Sequence, residues 1–307
     1  MIGYFLRRLA SAIPTLLAII TIAFFMMRLA PGGPFDSERR LPPEVEANLE
    51  KAYHLNEPLI AQYWDYLSGV LHGDFGPSFR YKDFTVTELI RSGFPVSLKL
   101  GLSAMVIALI LGVAFGTYAA LKQNRLGDHA VMGLAVTGIA VPNYVVAPLL
   151  TLFLGIYLRL LPVGGWNDGA LANMVLPVTT LALPLIAYIT RLTRGSVIEV
   201  LRANYIRTAR AKGLPTRVII WRHALPAAIL PVVTFLGPAT AAVLTGSLVV
   251  EQIFGLPGIG RYFVQGALNR DYTLVMGVVI FYAALIILLN LIVDIVYAML
   301  DPKVRYR

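Results

Sequence analysis

A 33-residue basic segment, Arg191–His223, sits between two long uncharged apolar runs and constrains the fold more than any other feature. It reads RLTRGSVIEVLRANYIRTARAKGLPTRVIIWRH. Eight Lys/Arg (Arg191, Arg194, Arg202, Arg207, Arg210, Lys212, Arg217, Arg222) stand there against one acid, Glu199. A charge at the middle of a bilayer costs at least about 2.5–3.5 kcal/mol. The segment is therefore expected as a loop between two spans, and its charge assigns it to the cytoplasmic side. The chain is 57% hydrophobic and 14% charged, where a soluble domain carries about a quarter charged residues. Because the apolar residues fall in long blocks, the expected class is an all-α polytopic membrane protein. Cysteine is absent, which excludes disulfides and thiolate metal sites.

About 20 apolar residues cross a hydrocarbon core of about 30 Å. Six runs qualify: Leu9–Met27, Leu100–Leu121, Val131–Leu158, Gly169–Thr190, Ala224–Val250 and Leu274–Met299. Arg7 and Arg8 precede the first run, whose 19 uncharged residues exceed a signal-peptide core, so it is read as a retained span. With both termini inside, the cytoplasmic pieces 1–8, 122–130, 191–223 and 300–307 hold fifteen of the 26 Lys/Arg and three of the 17 acids. This positive-inside bias supports the N-in/C-in orientation and accounts for the formal charge of +9 without nucleic acid. The division expected is 1–99, a first transmembrane helix with an outer cap loop, and 100–307, a five-helix core containing the basic loop 191–223. In the cap, Val45, Leu49 and Tyr53, then Leu59, Tyr63, Leu67 and Leu71, recur at helical spacing between Pro42-Pro43 and Gly73.

Within the runs, Gly112 and Gly116 form a GxxxG step that suits close helix approach. Pro142 and Pro148 in the third run and Pro177 and Pro184 in the fourth predict kinks or breaks. Asp294, near the inner end of the last run, is read as pairing with a cytoplasmic cation. The absence of other mid-membrane ionisable residues argues against a proton-driven secondary transporter. Gly255–Arg261 only superficially resembles a phosphate loop, because Arg-Tyr follows where Lys-Ser/Thr is required. His54, His72, His129 and His223 lack metal spacing. No catalytic set, resident metal or cofactor is expected, and the chain is read as a non-enzyme.

The basic loop is patterned. Val197, Val200, Leu201 and Tyr205 fall on one face of a helix expected from Ser196 to about Ala211, which Gly213 with Leu214-Pro215 would stop. A second helical piece is expected from Thr216 to Pro226. Two short helices meeting at a glycine turn could seat in a soluble partner; a basic amphipathic helix on anionic lipid is the alternative.

Arg207-Thr208-Ala209, then Gly213, then Leu225-Pro226 resembles the Glu-Ala-Ala loop of ABC importer permeases, with Arg207 and Thr208 in place of Glu-Ala and His223 in place of an Ile. The variant YIRTARAKGL…RHALPAAILP is similar to the peptide and nickel branch of that superfamily. FLRRLASAIPTLLAIITIAFFMMRLAPGGPF, LPPEVEANLEKAYHLNEP, GDFGPSFRYKDF, VEQIFGLPGIGRYFVQGALNRDY and DPKVRY extend the resemblance over the whole chain. They look most like oligopeptide-permease B-type subunits.

The resemblance implies a six-helix, type I importer permease with a cytoplasmic coupling helix, forming half of a path for oligopeptides. It implies a homologous C-type permease, two ABC ATPase subunits that bind the ATP, and an extracytoplasmic peptide-binding protein as partners. For the ATPase contact it implicates Arg207, Thr208, Ala209, Arg210, Lys212, Gly213, Leu225 and Pro226, with small residues allowing close seating and cations meeting partner acids. Glu251, Arg261, Arg270 and Asp271 are candidates to face the binding protein. Dipeptide, glutathione or nickel import within the same family stays open as an alternative, as does an ion-coupled secondary transporter or a membrane scaffold from other classes.

Overall fold

The computed structural model describes residues 2–29, 56–81 and 83–300, with the side chains of 2–9, 245, 246, 294 and 296–300 outside the description. The helical reading of Val45, Leu49 and Tyr53 and the pairing of Asp294 therefore lie outside the described residues. The described elements are α1 (Ile2–Leu29), α2 (Leu59–Leu71), α3 (Val86–Leu121), α4 (Leu126–Ala140), α5 (Asn143–Leu150), α6 (Leu171–Leu201) and α7 (Asn204–Ala211). They continue with α8 (Thr216–Val218), α9 (Leu225–Ala228), α10 (Leu230–Phe254), α11 (Ile259–Leu268) and α12 (Tyr272–Leu300). Wider π turns follow α5 at Thr151–Tyr157 and α8 at Ile219–Ala224. Among the described residues, a single bridge outside the helices pairs Pro77 with Thr85.

Five helical stretches among the described residues are long and apolar enough to cross a bilayer: Ala10–Leu29, Val86–Leu121, Leu171–Leu201, Leu230–Phe254 and Tyr272–Val293. They coincide with five of the six expected runs, but two are longer than expected. The second starts at Val86 rather than Leu100, and its 36 residues span about 54 Å. The fourth continues past Thr190, through Arg191 and Arg194, to Leu201.

The expected third run, Val131–Leu158, is not one kinked helix. Leu126–Ala140 and Asn143–Tyr157 are bent by 104° against each other, a bent pair that counts as a sixth span only if taken together. The physical reason is Pro142. The residue before a proline is driven from the helical region, and Val141 sits in extended backbone (φ −89°, ψ 117°). Pro142 has no amide to continue α4, and its carbonyl instead starts α5 by accepting from Val145 (2.9 Å) and Val146 (3.1 Å). Pro148, Pro177 and Pro184 are absorbed inside helices.

The chain forms two compact units. One comprises Leu6–Ser97 and Pro257–Ile287. Its core contains Ile20 and Phe24 of α1, Tyr63 and Leu67 of α2, and Met276 and Ile280 of α12. Tyr63 meets Phe24 edge-on at 5.4 Å, stacks on Phe25 at 5.6 Å, and bonds Thr21 through its hydroxyl at 2.8 Å. The cap aromatics thus divide: Tyr63 packs inside, while Trp64 is exposed. Thr85 and Glu88 form a capping box for α3, with the Thr85 amide donating to Glu88 Oε2 (2.8 Å) and the Glu88 amide to Thr85 Oγ1 (3.2 Å).

The other unit comprises Met1–Phe5, Leu98–Leu256 and Leu288–Arg307. Here the GxxxG step brings α3 onto α6. A Cβ on Gly112 would stand 2.6 Å from Ile189 Cγ2, and one on Gly116 would stand 2.5 Å from the Thr190 carbonyl. Ile189, Thr190 and Thr193 are at most 1% exposed as a result. Tyr188 of α6 stacks on Phe235 of α10 at 4.5 Å. Since backbone, not a flexible side-chain tip, blocks the space at Gly116, Gly116→Val should cost about 1–3 kcal/mol. The expected outcome is a thermal midpoint several degrees lower for the purified complex; an unchanged midpoint would contradict the packing.

Candidate coupling surface

The carboxyl end of α6 and the chain after it form a small packed assembly. Val197, fully buried, joins Ala120, Ile220, Leu225 and Ala228 in one apolar cluster. A second cluster holds Ile206, Ala209, Ile219 and Ala224, with Val200, Leu201 and Leu214 packed against it. Between the two, α6 stops. Ala203 adopts extended backbone (φ −66°, ψ 149°), and α7 begins anew at Asn204. The expected helix through 196–211 is thus broken, and the break resets which residues face inward. Val197, Val200 and Leu201 keep their inward place, but the stripe continues at Ile206 and Ala209. Tyr205, expected on that stripe, is 48% exposed.

The end of α7 follows from glycine. Gly213 has φ +76°, a backbone conformation that costs an L side chain energy. The Gly213 amide donates to the Arg210 carbonyl (2.9 Å) and the Leu214 amide to the Ala209 carbonyl (3.3 Å), so two helix-end carbonyls are satisfied. Leu214 returns to the second cluster, as the apolar residue after a glycine stop commonly does. Pro226 withholds the amide that the Arg222 carbonyl would otherwise receive, and the chain ahead of it widens into the π turn 219–224.

Of the eight residues expected at an ATPase, Arg207, Thr208, Arg210, Lys212, Gly213 and Pro226 are exposed. Two need correction. Ala209 is 7% exposed and faces the chain's own Ile219 and Ala224 cluster; Leu225 is 8% exposed and belongs to the cluster of Val197. Both hold the element in place from within, because the reset register turns them inward. What α7 offers outward is a cationic face: Arg207, Arg210 and Lys212 around Thr208, whose hydroxyl returns to the Asn204 carbonyl at 3.2 Å.

The four residues expected to face a binding protein also separate. Arg261 and Arg270 are exposed. Glu251 and Asp271 are fully buried and are corrected as surface contacts. Glu251 lies inside α10 and accepts from the Ser247 hydroxyl at 2.6 Å. Asp271 precedes α12 and accepts from the amides of Leu274 (3.1 Å), Phe79 (3.2 Å) and Arg80 (3.2 Å) and from the Ser78 hydroxyl. It caps the helix and fastens the 78–80 turn, which is why a charged carboxylate tolerates burial. Beside this turn the Tyr81 hydroxyl donates to Gln265, and burial together with Tyr262 pushes the Tyr81 phenol up.

One pair was missed entirely. Asp128, expected only as one of three acids in cytoplasmic loops, is 1% exposed and grips Arg194 of α6. Its Oδ1 accepts from Arg194 Nε at 2.6 Å and its Oδ2 from a terminal guanidinium nitrogen at 2.7 Å. Oδ2 also accepts the Asn124 amide at 2.9 Å. The 66-residue separation hides the pair from any local pattern; the only hint is a lone acid in a short basic loop.

The fold and this surface define a helical multi-pass membrane protein that presents a compact basic element beside its spans. The family described as binding-protein-dependent transport system inner membrane component matches residues 112–306, and its N-terminal counterpart matches residues 1–101. The chain belongs to this family of inner-membrane transport components. It is 60% identical over 306 residues, covering 100% of both chains, to the oligopeptide transport system permease protein OppB of Escherichia coli K12. It is 44% identical to the dipeptide transport system permease protein DppB of Bacillus subtilis 168, covering 99% of this chain and 98% of that one. Among solved structures, an inward-facing MetNI methionine ABC transporter matches with a TM-score of 0.59 at 15% identity, covering 69% of this chain and 96% of that chain. An amino acid ABC transporter solved with histidines matches with a TM-score of 0.53 at 19% identity, covering 71% and 94%. At those identities the likeness is one of fold.

Ala209→Asp would bury an unpaired carboxylate in the second cluster, costing several kcal/mol. Thr208→Asp, on the exposed face, should leave stability within about 0.5 kcal/mol. Thermal midpoints of the purified complexes check the pair of outcomes. Equal stability of the two variants would contradict the inward register of Ala209.

Proposed function

We propose that the chain is a membrane-spanning permease subunit of an ATP-driven importer, forming half of the path for oligopeptides. An extracytoplasmic binding protein delivers the peptide, a homologous C-type permease forms the other half, and two ATPase subunits bind and hydrolyse the ATP. The observation that carries this is α7: a helix anchored from within by Ile206 and Ala209 that presents Arg207, Thr208, Arg210 and Lys212 outward. The likeness across the full length to the Escherichia coli oligopeptide permease supports the substrate class.

In this reading the termini, the 122–130 turn and the 191–223 segment lie in the cytoplasm, as the distribution of Lys/Arg favours. The exposed cations of α7 meet acids in a groove of the ATPase. Gly213 and Leu214 end the helix sharply, so α7 remains a short rigid knob rather than a mobile tail. A ligand shifts a conformational equilibrium only by binding the two states differently. ATP does so by closing the ATPase pair, and α7, packed on the end of α6, carries that displacement into the spans. The few ionisable residues in the apolar runs suit a path tolerant of varied side chains.

The test is transport in proteoliposomes containing the chain with its partner permease, ATPases and binding protein. Uptake of a labelled tripeptide should depend on internal ATP, stop with vanadate and persist with a protonophore. Unlabelled tri- to pentapeptides should compete better than dipeptide, glutathione or Ni²⁺. Uptake that collapses with the protonophore and resists vanadate would overturn the reading in favour of ion coupling.

A further inference from the structure

We propose that Asp128 and Arg194 form a positioning clasp that makes the α3–α4 turn move together with the coupling end of α6. The inference rests on the reading of α7 as the ATPase-docking helix and goes beyond it, by naming the residues that carry the displacement away from α7.

The geometry is that of a mechanical joint rather than a surface ion pair. Both carboxylate oxygens of Asp128 are engaged by the guanidinium, at 2.6 and 2.7 Å. This fork fixes direction as well as distance, which a lysine could not do. Asp128 is 1% exposed and Arg194 26%, so water competes little for the carboxylate. The same carboxylate shapes its own turn. It holds the amide of Asn124, a non-glycine residue at φ +60°. Across that turn, a Cβ on Gly127 would lie 2.8 Å from the Tyr118 hydroxyl, so α4 begins hard against the end of α3.

Placement along α6 gives the clasp its role. Pro184 lies above it and leaves the Thr180 carbonyl without its helical amide, which makes a point of weakness in the rod. Below it, Val197 and Leu201 are packed into the two clusters that hold α7 and the π turn. The stretch from Ile189 to Leu201 is thus fastened downward to the coupling element. It is fastened sideways to α3 by the contact of Gly116 with Thr190 and Thr193. The clasp pins the amino end of α4, whose other end, at the 104° bend beside Pro142, already meets α6 where Gly138 approaches Leu183 and Ala187. A displacement of α7 thus reaches the start of α4 through the end of α6 and one directional ion pair, while the apolar packing of α4 on α6 continues over about 22 Å to that bend. Without the clasp the apolar contact of α4 with α6 remains, but contact of that kind lets helices slide, so the α6 end can shift while the α3–α4 turn stays behind. ATP would then be hydrolysed without a matching change in the spans.

Asp128→Asn tests this in the complete complex, reconstituted with partner permease, ATPases and binding protein. Binding-protein-stimulated ATP hydrolysis and uptake of tritiated trialanine are measured in the same vesicles. The expected result is import per ATP reduced about tenfold, the size of a typical coupling between sites, with the complex assembled. In the same variant, a cysteine at Thr208 should still crosslink to the ATPase. The double exchange Asp128→Arg with Arg194→Asp should recover part of the ratio. If Asp128→Asn complexes do not assemble, Arg194→Lys, which keeps the charge but loses the fork, serves with the same readouts. An unchanged ratio, or hydrolysis and import falling in proportion, would overturn the clasp and leave a structural pair. Loss of the Thr208 crosslink only in the clasp variant would also overturn it, by placing the defect at docking. Loss of that crosslink without any clasp mutation would instead contradict the docking reading itself.

Discussion

Everything around the coupling surface depends on α6 remaining one helix from Leu171 to Leu201. Arg191 and Arg194 do not end it, because the long exposed Arg191 side chain can leave the apolar span for water and Arg194 is paired with Asp128, while the backbone stays helical. Continuity lets the final turns carry Val197, Val200 and Leu201 to the clusters that hold α7 and the π turn. Had the helix ended at Thr190, the basic segment would be a tether with nothing fixed to transmit. A rigid end fastened to its neighbours is what a coupling element needs and a basic lipid anchor does not.

The fold was legible where one chain segment decides its own state. Five runs of uncharged residues appear as membrane-length helices, and Gly213 stops a helix where glycine, leucine and proline coincide. The GxxxG step at Gly112 and Gly116 marks a true close approach. The sequence marks Pro142 as a kink or a break without deciding between them, since a proline's effect depends on whether the backbone on its amino side can stay helical. Pro184 is absorbed; at Pro142 the preceding Val141 becomes extended and the chain turns.

The site was legible as a segment but less so by face. The composition of 204–214 marks it as basic and helical, yet a two-residue break at Arg202 and Ala203 decides that Ile206, not Tyr205, is inside. The same reset turns Ala209 toward the chain's own Ile219 and Ala224. Glu251 and Asp271 show the complementary limit. A carboxylate reads as surface by type, and for Asp271 the distant amides of Phe79 and Arg80 help to make its burial tolerable. Asp128 is the extreme case, because its partner lies 66 residues away.

The central claim is that the exposed face of α7 docks on an ATPase. The chain has no cysteine, so a single cysteine at Thr208 reports on that face alone. Crosslinking in native membranes, followed by purification of the complex, should capture an ATPase subunit, and the yield should change when ATP is added. Crosslinks only to lipid in an otherwise intact complex would contradict the account and make the basic element a membrane anchor.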